Sequence, residues 1–192
     1  GWNHSLALKE DGTVVAWGGN DRGQSDVPNG LKGVVSISAG WNHSLALKED
    51  GTVVAWGGND RGQSDVPNGL KGVVSISAGE DHSLALKEDG TVVAWGDNYS
   101  GESDVPNGLK GVVSILAGWN HSLALKEDGT VVAWGKNGSG ECNIPYKLKV
   151  KMSSTAIVLD SKPPILSISD IQFIDENSNN TIDAFEENFL TF

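Results

Sequence analysis

Apolar residues along this chain come in short bursts rather than in long stripes. Ser5 to Lys9 reads SLALK, Thr13 to Trp17 reads TVVAW and Val34 to Ile37 reads VVSI, each bounded by Gly, Asp, Asn or Pro. Short runs of β-branched and aromatic residues, punctuated by turn formers, predict strands. No segment places apolar residues at a 3.6-residue period, so helices are not expected. Glu10-Asp11-Gly12 supplies hairpin chemistry between the first two strands, with Gly free to take positive φ. Gly18 to Gly23 reads as a loop, Gln24 to Val27 as a short outer strand ahead of Pro28, and Asn29-Gly30 as another turn. The strands lack strict alternation of apolar and polar residues, which predicts sheets covered on both faces.

This unit recurs. Residues 1–39 and 40–78 are identical, a third copy runs from Gly79 to Ala117, and a fourth starts at Gly118 and holds the pattern to about Pro145. One such unit has no partner for its own apolar residues, so stability must come from stacking unit on unit. Short sheets stacked face to face are the blades of an all-β propeller.

The residues that repeat carry a family resemblance. His4-Ser5-Leu6-Ala7-Leu8, Asp11-Gly12-Thr13-Val14, Trp17-Gly18 and Asn20-Asp21-Arg22-Gly23-Gln24 resemble the consensus of the regulator of chromosome condensation (RCC1) repeat. Val27-Pro28 and Val34 to Gly40 are similar to the bacterial branch of that family, which includes propeller-type β-lactamase inhibitors. The resemblance implies a closed ring of seven blades, of which this chain holds about four, the first lacking its Val-Val-Ser-Ile strand. The resemblance covers residues 1–145, with units starting at 1, 40, 79 and 118, and a degenerate unit at 147–159 is expected to extend the propeller part to residues 1–159. The guanine-nucleotide exchange known in the eukaryotic branch is not expected, because every unit here is uninterrupted.

Four copies in one chain show where the units differ. The pair ahead of each His is Trp2-Asn3, Trp41-Asn42, Glu80-Asp81 and Trp119-Asn120. The loop after each Trp-Gly is GNDRGQ at 19–24 and 58–63, DNYSGE at 97–102 and KNGSGE at 136–141. In an up-and-down blade both segments emerge at one end of the sheet, and the invariant Lys-Glu-Asp-Gly turns at the other. Variation on one face of a rigid scaffold marks a binding surface. Its expected residues are Trp2, Asn3, Trp41, Asn42, Glu80, Asp81, Trp119 and Asn120, with Asp21, Arg22, Asp60, Arg61 and Tyr99 from the second loop. The tryptophans Trp2, Trp41 and Trp119 are expected to form an arc, as anchors for a protein or glycan partner. Trp17, Trp56, Trp95 and Trp134 lie inside strands and are expected in the core.

Charge narrows the partners. Twenty-five acidic residues against 14 basic give a formal net charge of −11, so phosphate backbones and anionic membranes are repelled and nucleic acid is not an expected partner. No stretch is long and apolar enough to span a bilayer. The single cysteine, Cys142, excludes an intrachain disulfide. His4, His43, His82 and His121 recur at one position per unit, which spreads them too widely to share one metal ion; each is expected to bond a neighbouring backbone group. No carboxylate pair, nucleophile elbow or phosphate-cradling loop stands out, so no enzymatic activity is expected. The reading is a repeat scaffold of a larger secreted or surface protein, its extracellular bacterial location inferred from the resemblance. Inhibition of an enzyme such as a β-lactamase, or targeting of a catalytic domain outside this segment, are the alternatives.

The tail departs from the repeat. Ser161-Lys162-Pro163-Pro164 sits within an expected linker at 160–166, followed by the start of a second β domain at 167–192. Asp175, Asn177, Asn179, Thr181, Asp183 and Glu186 fall at positions one, three, five, seven, nine and twelve of a calcium loop, with Thr181 giving its backbone carbonyl. Asn180 stands where such loops usually carry Gly, and Asn tolerates left-handed geometry. The loop resembles an EF-hand loop, but its flanks resemble the opening of an immunoglobulin-like module of bacterial surface proteins. Calcium is therefore the one expected cofactor. Calorimetric titration of the full chain with calcium should show binding that disappears in the Asp175→Ala, Glu186→Ala variant; no heat at millimolar calcium would reduce the tail to a linker.

Overall fold

The computed structural model describes residues 1–152 and 171–173, all of it strand, turn and loop. The tail's calcium-loop residues lie outside the described residues. The first blade holds β1 (His4–Leu8) and β2 (Val14–Gly18). The second holds β3 (Val34–Ala39), β4 (His43–Lys48) and β5 (Val53–Gly57). The third repeats this with β6 (Val73–Ala78), β7 (His82–Lys87) and β8 (Val92–Gly96). The fourth does so with β9 (Val112–Ala117), β10 (His121–Lys126) and β11 (Val131–Gly135). Each is an antiparallel sheet in chain order, and the three inner strands β3, β6 and β9 lie beside one another. The all-β partial propeller expected from the repeat is what the chain forms.

Blades hold one strand fewer than the turn pattern suggested. Gln24 to Val27 is not a strand. Gly23 donates its N–H to Asn20 O and Asp26 to Gly23 O, so two tight turns follow each other. Gly23 takes φ of 77°, and the Gln24 side chain accepts the Arg22 N–H at 2.9 Å, which ties the segment to itself and withdraws it from the sheet.

The core sits between sheets, as stacking demands. Leu45, Leu47 and Val53 of the second blade meet Val73, Ile76, Ala85 and Trp95 of the third in one buried cluster. Leu84 and Leu86 of the third meet Val112, Ile115, Ala124 and Trp134 of the fourth in the next. Leu to one side and Ala to the other along a single strand lets neighbouring sheets interlock. Trp56, Trp95 and Trp134 are buried, in line with the core expectation, but Trp17 is 53 % exposed. Among the described residues no sheet packs over that side of β1–β2, and Val15 is half exposed there as well.

The fourth unit closes irregularly. β12 (Val150–Met152) begins where β3 and β9 begin: Val150 N–H bonds Gly129 O as Val34 bonds Gly12 O and Val112 bonds Gly90 O. It pairs with β13 (Ile171–Phe173), a segment expected to lie past the linker. The connection is one residue shorter than in the other units, and Lys147 holds the place of Gly30, Gly69 and Gly108. All three glycines take φ of 78°, and Lys147 takes 63°, the one non-glycine with positive φ among the described residues. Left-handed geometry costs a side-chain-bearing residue on the order of 1 kcal/mol. Lys147→Gly should therefore raise the stability in urea denaturation by up to ~1 kcal/mol; a loss of stability would show that Lys147 makes contacts worth more than the strain.

Candidate partner-binding face

In each complete blade the inner strand runs into the Trp-Asn segment or its Glu80-Asp81 counterpart and the outer strand into the Gly-Asn-Asp-Arg loop or its counterparts at 97–100 and 136–139, so both lie at the same end of the sheet. Gly19 and Gly58 donate to Asn3 O and Asn42 O at 2.6 Å, and Asp97 and Lys136 to Asp81 O and Asn120 O at 2.8 Å, which locks the two loops of every unit together. The inner loops also bond from blade to blade. Trp2 N–H reaches Gly40 O, Trp41 N–H reaches Glu80 O and Glu80 N–H reaches Trp119 O, at 3.2–3.3 Å.

Beneath the inner loops runs a buried relay. His4 Nε2 lies 2.8 Å from Ser44 Oγ, His43 Nε2 3.0 Å from Ser83 Oγ and His82 Nε2 2.9 Å from Ser122 Oγ. Each Ser is in the following blade. Its hydroxyl donates its only proton to Gln24 O, Gln63 O or Glu102 O at 2.9 Å. Nε2 of each His must therefore carry the proton it shares with Oγ. The expected backbone partner is replaced by a hydroxyl, because the carbonyl that a His would seek is already taken by Ser and by an indole. Trp56, Trp95 and Trp134 Nε1 donate to the same three carbonyls at 2.9–3.0 Å. Gly40 precedes the relay because a Cβ there would strike the His43 ring and Gly79 O.

The tryptophans do not form the expected arc. Ring centroids are 5.8 Å apart for Trp2 and Trp41, 5.3 Å for Trp2 and Trp119, and 6.3 Å for Trp41 and Trp119, so the three pack as one cluster. They sit on loops that leave the innermost strands, and indole rings are long enough to close the remaining gap. Trp2 and Trp119 stay more than half exposed and Trp41 is half-buried.

Glu80, in the same position of the third unit, accepts the Asn120 Nδ2–H at 2.9 Å. Burial pushes its carboxyl above the usual range, against the pull of that bond. Asp81 is raised by burial and by Asp97, and accepts Gln63 Nε2–H at 2.7 Å. Asn42, Asp81 and Asn120 thus face the joint between blades, a role the sequence did not reveal. Glu102, which replaces Gln24 and Gln63, is fully buried; its Oε2 accepts the Ser100 N–H, and its Oε1 has no partner among the described residues.

The outer loops form the rim. Arg22 pairs with Asp60 of the next unit at 2.7 Å, with both side chains exposed. The place after Asp60 is Tyr99, which is 93 % exposed, so Arg61 lacks the same partner. Asp21 and Asn3 are also exposed. Among the described residues no group of three His, Cys, Asp or Glu is arranged to hold a metal ion, and no helix is long and apolar enough to cross a membrane.

The family model of the regulator of chromosome condensation (RCC1) repeat matches residues 1–24, 34–63, 73–102 and 112–141. Among solved structures the chain is similar to yeast RCC1 (Prp20) bound to Kap60, with TM-score 0.61 and 29% identity over 70% of this chain and 42% of that one. A second structure, Prp20p of Saccharomyces cerevisiae, described with its binding to Gsp1p and histones, gives 0.60 and 30% over 69% and 43%. Human WBSCR16, at 0.59 and 24% over 69% and 45%, shares the fold. The chain thus spans less than half the length of each of these proteins. No curated protein matches it.

The relay fixes a pH dependence. Burial holds His43 at about 3 and His82 at about 4, against an ordinary 6.5. Between 6.5 and those values the unfolded chain takes up protons that the folded chain refuses. Stability is complete above pH 6.5 and falls as pH drops, by up to ~1.4 kcal/mol per pH unit for each of these two residues. Urea denaturation from pH 7.5 to 4.5 should show that decline, and the His43→Gln, His82→Gln variant a flatter one. A wild-type stability that holds constant to pH 4.5 would contradict neutral buried imidazoles.

Proposed function

The chain belongs to the regulator of chromosome condensation repeat family, and from that premise we propose that it is a non-enzymatic scaffold that binds a protein or glycan through the tryptophan-bearing face. The observation that carries this reading is the Trp2, Trp41 and Trp119 cluster: three large apolar rings gathered at one end of the blades, two of them more than half exposed. Exposed apolar surface of this kind on a rigid scaffold supports a docking role. The yeast relatives are proteins described with protein partners, Kap60, Gsp1p and histones, which favours a protein over a glycan here. Part of a larger secreted or surface protein of bacterial origin is the setting we propose, on the strength of the repeat's bacterial resemblance and the calcium-loop spacing of the tail. Inhibition of an enzyme such as a β-lactamase is the weaker reading, because units 1–39 and 40–78 are identical and offer a target few distinct contacts.

Ligands selected on glycan arrays and displayed-peptide libraries with the wild-type chain should lose at least about tenfold in affinity for the Trp2→Ala, Trp41→Ala, Trp119→Ala variant. They should be indifferent to Lys9→Ala and Lys87→Ala at the opposite end. Ligands with the reverse sensitivity would overturn the reading.

A further inference from the structure

Charge is divided unevenly between the two ends of the blades. The loops at the tryptophan end, residues 19–26, 40–42, 58–65, 79–81, 97–104, 118–120 and 136–143, hold ten acidic and three basic residues. The turns and connections at the other end, residues 9–13, 28–33, 48–52, 67–72, 87–91, 106–111, 126–130 and 145–149, hold eight acidic and nine basic ones. The propeller's acid excess is thus confined to the end that carries the aromatic cluster. Of the three basic residues there, Arg22 is already paired with Asp60. Arg61 acts on Asp81 and Lys136 on Glu80, which leaves most of the excess uncompensated.

Aromatic and acidic residues are also linked there. Glu80 N–H bonds Trp119 O, and its carboxylate is held by Asn120, the residue next to Trp119. A half-exposed tryptophan and a carboxylate fixed to the residue that follows it therefore share one stretch of this end. A neutral partner gains stacking and hydrogen bonds from the indoles but nothing from a surrounding negative field. A guanidinium or ammonium gains twice: it is drawn by the negative face of the indole and by the carboxylate. The long-range field of the same end steers such a partner in.

We propose that the tryptophan end docks an arginine- or lysine-rich segment of a protein partner, with a cationic side chain seated against Trp119 and beside Glu80. The proposal deepens the scaffold reading above and rests on it. The test is calorimetric titration of the full chain with an arginine-glycine repeat peptide, and with a glutamate-glycine peptide as control.

Only the arginine peptide is expected to bind, with affinity falling about tenfold or more as salt rises from roughly 50 to 300 mM. Glu80→Gln and Trp119→Ala should each weaken it several-fold, and Glu10→Gln and Glu49→Gln at the other end should not. The glutamine variants keep size and shape, so loss of fold is separable by circular dichroism. Equal binding of both peptides, or binding that ignores Glu80→Gln and salt, overturns the cationic assignment. If a glycan or neutral peptide then binds with dependence on the three tryptophans, the scaffold reading stands without it. If nothing binds in a tryptophan-dependent way, both fall.

Discussion

Everything in this propeller hangs on one peptide carbonyl per joint. Gln24 O, Gln63 O and Glu102 O each accept two hydrogen bonds from the next blade, one from a serine hydroxyl and one from an indole N–H. The serine in turn accepts from a histidine of the blade before. Every polar group in that chain is buried, and an unmet buried donor costs about 1–3 kcal/mol, so the blades can stack in one register only. The constraint reaches outward: it keeps the imidazoles neutral, demands glycine at Gly40, and fixes the loops directly above it, where the tryptophans sit.

Much of this was legible in the sequence. The runs VVSI and VVAWG are strands because β-branched and aromatic residues fill them, HSLALK is a short apolar run closed by Glu-Asp-Gly, and strands form at all three. The same-end placement of the variable loops followed from strand parity alone. The histidine relay did not. Its partners are 40 residues apart, and in copies that are identical no difference at one position can answer a difference at the other. Gln24 to Val27 was misread because its backbone bonds are local and side-chain-assisted, a choice that composition does not reveal. The tryptophan arc became a cluster because the reach of an indole from an inner loop depends on blade spacing. Trp17 carries a core residue's sequence context but lacks the neighbouring sheet that would bury it.

A scaffold built this way separates two tasks. The joints repeat with little change, while the loops above them tolerate Glu80 in place of tryptophan and Tyr99 in place of aspartate. Some of that variation still serves the joint: Asp81 comes with Gln63, and Glu102 comes opposite Asn120, so carboxylates never face each other across those positions. What remains free is the aromatic cluster and its acidic surroundings, held still by the relay beneath. Recognition by such a face costs little conformational entropy, because the rings are already packed against one another.

The most direct measurement of this arrangement is hydroxyl-radical footprinting of the chain, free and with a bound ligand. In the free chain Trp2 and Trp119 should oxidise far faster than Trp56, Trp95 and Trp134, which lie in the joints. With ligand bound, protection should appear at Trp2, Trp41 and Trp119 and leave the Lys-Glu-Asp-Gly turns unchanged. Similar oxidation of both tryptophan sets, or protection confined to those turns, would contradict the idea that the relay presents one aromatic face for binding.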